Sequence, residues 1–104
     1  MSLPDLSTAQ LAEALKDPRP LVIKFWAPWC GPCKAFTPTF EAAQTENPDV
    51  RFAQVNIDEE QAVAQAWRIR SIPATIAFKD GQLAWQAIGM LSPGQLASKV
   101  SELR

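Results

Sequence analysis

The stretch Leu21-Val22-Ile23-Lys24-Phe25-Trp26-Ala27, followed at once by Pro28-Trp29-Cys30-Gly31-Pro32-Cys33, decides the fold. Apart from Lys24, Leu21 to Ala27 is continuously apolar. A run this short and this continuous reads as a central strand buried on both faces. Pro28 to Pro32 then turn the chain into a helix that should run to about Glu46, with Pro38 expected to kink it by removing a donor and crowding the preceding turn. A cysteine pair therefore lies where a buried strand gives way to a helix.

On the N-terminal side, Ser7 and Gln10 have capping-box spacing ahead of the apolar helical face Leu11, Ala14 and Leu15, and Pro18 and Pro20 close that helix. A short strand near Leu3 to Leu6 is a further candidate. On the C-terminal side, Arg51 to Ile57 reads as a second buried strand. Asp58 and Gln61 have the spacing of another capping box, opening a helix to about Arg68. Ala74 to Lys79 and Gln82 to Ile88 are strands joined by Asp80-Gly81, a strong two-residue hairpin signal. Ser92-Pro93-Gly94-Gln95 opens a last helix with Leu96, Val100 and Leu103 on one face. A βαβ unit followed by a hairpin and a helix implies a mixed sheet with helices on both faces, in one domain over residues 1–104.

Composition narrows the chemistry. The chain is 47% hydrophobic and 20% charged, values that favour a folded globular protein over a disordered one. Ten basic and eleven acidic residues give a net charge of −1, and no long basic stretch makes a case for nucleic acid or anionic membrane. No apolar run approaches the ~20 residues that span a bilayer. Met1 to Leu6 lacks the basic and apolar regions of a signal peptide, so a cytoplasmic location is expected. The absence of histidine removes Ser-His-Asp and Cys-His catalysis, together with most zinc and haem ligation.

The two cysteines, three positions apart, remain. In the first turn of a helix such a pair sits within bridging distance, and the unpaired amides and positive dipole end stabilise a thiolate at the first cysteine. Such motifs lower a thiol pKa from ~8.5 to about 3.5–7.5. Cys30 would attack a disulfide, and Cys33, one turn in and less exposed, would resolve the mixed disulfide. Gly31 and Pro32 set the turn, and Pro32 stiffens the helix start. Two bland alternatives stay open, half of an intersubunit metal site and a purely structural disulfide; the second removes little unfolded-state entropy from residues so close in sequence.

The segment Phe25 to Lys34 resembles the thioredoxin active-site segment nearly letter for letter. The resemblance continues through Pro38, Val55-Asn56-Ile57-Asp58, Ile72-Pro73-Ala74-Thr75, Phe78-Lys79-Asp80-Gly81 and Gly89, covering about residues 20–104. It implies an α/β thioredoxin fold, a central mixed β-sheet flanked by four helices, and a redox-active disulfide Cys30–Cys33. That family is itself a worked example of the lowered thiol pKa. The resemblance further implies a cis peptide bond before Pro73, facing the cysteines and leaving backbone groups free for an extended substrate segment. An ordinary trans proline opening a strand is the alternative. Trp29, Gly31, Pro32, Ile72, Pro73, Gly89 and Met90 would form a flat substrate-docking surface; for Trp29 the alternative is core packing. Trp26 would pack beneath the motif, with Trp67 and Trp85 as core or surface aromatics.

The chain departs from the family at Lys24, where thioredoxins typically carry a buried aspartate, and at Gln54, where a lysine is common. The bland reading of Lys24 is snorkelling along a sheet edge. The sharper reading is an amine near Cys33 that tunes the thiols: protonated, it would favour thiolates; neutral, it could accept the Cys33 proton.

The function expected is reduction of protein disulfides by dithiol–disulfide exchange. Electrons would come from a thioredoxin reductase-like partner, with NADPH and flavin on that partner alone, since this chain has no Gly-x-Gly-x-x-Gly fingerprint. A monomer is expected. The rival readings are a specialised oxidant or isomerase tuned by Lys24, and a thioredoxin-fold binding or chaperone module.

Overall fold

The computed structural model describes residues 3–104. In chain order the elements are α1 (Thr8–Ala14), β1 (Leu21–Trp26), α2 (Gly31–Glu46), β2 (Arg51–Asn56), α3 (Gln61–Ala66), β3 (Ala74–Lys79), β4 (Gln82–Ile88) and α4 (Pro93–Ser101). The strands form one mixed sheet in the order β2-β1-β3-β4. β1 runs parallel to β2 and antiparallel to β3, and β3 pairs antiparallel with β4. The apolar run at Leu21 is thus an interior strand, which is why its residues need no polar alternation.

Because successive side chains point to opposite faces, β1 feeds two cores. Val22 joins Phe36 and Phe40 of α2 and Leu96 and Val100 of α4. Ile23 and Phe25 join Leu11 of α1, Val63 of α3, and Ile76 and Phe78 of β3. Both serine caps form as expected: Ser7 and Ser92 each accept from the amide three residues on and receive the glutamine side chain in return. Asp80 and Gly81 turn the hairpin at φ 57° and 76°, both left-handed. A Cβ on Gly81 would stand 2.7 Å from the Leu15 carbonyl oxygen, so this position also needs glycine for space. α2 continues through Pro38 as one helix, with the proline exposed.

Three expectations are corrected. The candidate strand at Leu3 to Leu6 is only an isolated bridge, Asp5 to Gln54 beside β2. The capping box at Asp58 and Gln61 does not form. α3 begins after Glu60 without any side-chain cap, because the Asp58 carboxylate accepts from the Trp29 indole and the Glu60 carboxylate from the Thr8 amide and hydroxyl. The helix also stops at Ala66, short of Arg68. There Arg68 takes φ 56°, and the Ile69 and Arg68 amides donate to the Ala64 and Gln65 carbonyls. This is a Schellman closure with arginine in the place glycine usually holds.

Candidate active site

β1 ends at Trp26, the chain turns through Ala27 to Trp29, and Cys30 becomes the N-cap of α2. Its amide donates to the Ala27 carbonyl at 3.0 Å, which fixes the turn. The Cys30 sulfur occupies the place of a capping oxygen and accepts from the Cys33 amide at 3.2 Å. An acceptor so placed at a helix N-terminus is favoured when it carries negative charge. Cys30 and Cys33 form a disulfide, with Cα atoms 5.3 Å apart. Cys30 is 4% exposed and Cys33 fully buried, so the first cysteine is the one nearer solvent.

The neighbours of the pair divide by exposure. Trp29 is 69% exposed, which removes the core-packing alternative, and its indole N–H donates to Asp58 at 3.0 Å. Gly31 and Pro32 are exposed, and Met90 is 49% exposed. Ile72 packs against the cysteine cluster, as does Trp26, whose indole N–H donates to Asp5. The Ile72–Pro73 bond is cis, Pro73 is buried, and its carbonyl accepts from the Gly89 amide at 2.8 Å. Trp67 stacks edge-on against Phe78, and Trp85 packs on the α2/α4 core.

Lys24 does not snorkel. β1 lies between β2 and β3, so no sheet edge offers the amine a path to water, and the residue is 1% exposed. Its Nζ reaches the Thr37 hydroxyl at 2.5 Å and the Cys33 carbonyl oxygen at 3.3 Å. Burial pushes its pKa below the usual lysine range, against the pull of the Asp5 and Glu41 carboxylates. Thr37 escaped the sequence reading, although its position four residues after Cys33 put it on the same helix face.

Among the described residues no cluster of His, Cys, Asp or Glu could hold a metal ion. Among those residues no helix is long and apolar enough to cross a membrane. A groove of about 570 Å³ lies along the start of β2, lined by Pro4, Leu21, Val50 and Phe52 and by neither cysteine.

The thioredoxin family model matches residues 3–102. The chain is 40% identical to thioredoxin of Mycoplasma pneumoniae, over 92% of this chain and 94% of that one. It is also 40% identical to thioredoxin 1 of Synechococcus elongatus, over 86% and 85%. Its structure superposes on oxidised mitochondrial thioredoxin 3 of Saccharomyces cerevisiae with a TM-score of 0.90 at 32% identity, covering 97% of this chain and 95% of that one. With a bridged Cys-x-x-Cys pair capping the helix that follows a buried strand, this chain belongs to the thioredoxin family of thiol–disulfide oxidoreductases.

Proposed function

We propose that the protein reduces disulfides of other proteins, with Cys30 as nucleophile and Cys33 as resolving thiol. The observation that carries this assignment of roles is the Cys33 amide aimed at the Cys30 sulfur at a helix N-terminus, with Cys30 the more exposed of the two. In the reduced protein the Cys30 thiolate attacks one substrate sulfur, and the other leaves as a thiolate. Cys33 then attacks the Cys30 sulfur of the mixed disulfide, expelling the second substrate thiolate and closing the Cys30–Cys33 bond. Two electrons pass to the substrate, whose sulfurs take up the two protons.

The docking surface is Trp29, Gly31, Pro32, Ile72, Pro73, Gly89 and Met90. Its support is the exposure of Trp29 and Met90 beside the pair, and the hydrogen bond that ties Gly89 to Pro73. A reductase carrying flavin and NADPH regenerates the dithiol. The protein works as a monomer in the cytoplasm, where thiols are kept reduced and the cycle can turn.

The test replaces each sulfur in turn. With a protein disulfide as substrate, Cys30→Ser should lose essentially all reduction, at least ~10³-fold. Cys33→Ser should accumulate a covalent mixed disulfide through Cys30, visible on non-reducing gels. Trapping through Cys33 in the Cys30→Ser variant would reverse the roles.

A further inference from the structure

Among the described residues, Lys24 is the one charged side chain that is fully buried, and it lies against the resolving cysteine's own backbone. The Thr37 hydroxyl donates its single proton to the Cys33 carbonyl at 3.2 Å. Thr37 Oγ1 must therefore accept from Lys24, whose second N–H goes to the same carbonyl. These two bonds use both protons of a neutral amine. An ammonium would carry a third proton beyond those two bonds, and a buried unpaired donor is costly. The strand neighbours on either side, Gln54 and Thr75, are uncharged. Gln54 is engaged by Asp5, and the Thr75 hydroxyl is buried without a partner.

Resting on the disulfide-reductase reading, we infer that Lys24 is the proton partner of the redox pair, neutral while Cys30 and Cys33 are bridged and protonated once they are reduced. Reduction breaks the S–S bond with two electrons from the donor thiols and creates two sulfurs that call for protons. Above the Cys30 pKa, Cys30 remains a thiolate, Cys33 takes one proton and Lys24 the other. On reoxidation, Cys33 and Lys24 give up those two protons as the S–S bond forms. The charged groups acting on the amine are Asp5, from the N-terminal segment, and Glu41, from α2. What the redox change alters is the charge at the sulfurs, where S–S bond cleavage leaves a thiolate and a thiol. Lys24 touches the backbone of Cys33 and no reacting atom, which makes it a positioning residue that sets proton stoichiometry.

The experiment is the midpoint potential of the intact chain, by thiol trapping in thiol redox buffers, from about pH 7.5 to about 9.5, above the ~7 of such a nucleophilic thiol. Wild type is compared with Lys24→Met, which keeps the volume, and Lys24→Gln, which keeps a donor for Cys33 and Thr37 but cannot take a proton. With one proton fewer per reduction, both variants should lose a tenfold change in equilibrium constant per pH unit. Their potentials should fall less steeply than wild type by about 30 mV per pH unit. Equal slopes in all three proteins would overturn the inference while leaving the reductase reading intact. A wild-type slope in Lys24→Gln alone would overturn it too, by showing that hydrogen bonding suffices. If wild type had no reversible transition, the redox reading itself would fall.

Discussion

The two faces of β1 are built to different rules. Toward α1 and α3, Ile23 and Phe25 are fully buried in a cluster of apolar side chains. Toward α2, the same strand places Val22 in an apolar core but then Lys24 against Thr37 and the Cys33 carbonyl. One face maximises burial. The other accepts a desolvated amine against the backbone of Cys33. Local violation of the hydrophobic rule, in a strand that otherwise obeys it, coincides with the redox site and not with the rest of the core.

Substitutions on the two faces should therefore have opposite signs. Phe25→Ala removes a large side chain from the dry face and should cost about 3–5 kcal/mol in denaturant unfolding. Lys24→Met, one position earlier, should raise the stability of the oxidised protein at neutral pH by about 1–2 kcal/mol, because an unfavourably buried polar group gives way to an apolar one of similar volume. A loss of stability in that variant would break the contrast and make Lys24 part of the scaffold.

The Lys24→Met gain should also depend on pH. The amine's pKa is lowered by burial in the folded protein. Between that value and the unfolded value of 10.5, the unfolded chain binds a proton that the folded chain does not, so wild-type stability rises with pH. The variant lacks this term. Its advantage should be largest and constant below the folded pKa, and should shrink as pH climbs toward 10.5. With the cysteines bridged and no tyrosine in the chain, neither thiols nor phenols confuse that alkaline range. Urea unfolding of both proteins across it would show the convergence, and parallel curves would mean that Lys24 titrates normally.

Most of the frame is legible in the sequence because its signals are local. The apolar run of β1, the serine–glutamine boxes of α1 and α4 and the Asp80-Gly81 turn are each specified by residues a few positions apart, and each forms. The failures come from contacts made across the fold. Asp58 has the spacing of a cap but is engaged by Trp29, from 29 residues away. Glu60, which does stand at the head of α3, is held by Thr8. Lys24 is similar. Its strand could be read, but whether the amine reached water depended on strand order, and only β2-β1-β3-β4 closes the edge. The cysteine pair was legible because the motif, the strand before it and the helix after it are contiguous. The surface around it draws on Ile72, Pro73, Gly89 and Met90, which no local spacing connects to Cys30; only the family resemblance brought them together.

The most direct test of the redox assignment is the midpoint potential of the Cys30–Cys33 pair at neutral pH, measured by thiol trapping in defined redox buffers. A single reversible two-electron transition near about −270 mV, the value typical of thioredoxin, is the predicted result. A midpoint at about −200 mV or above would contradict the direction of electron flow, and the absence of any reversible transition would contradict the assignment altogether.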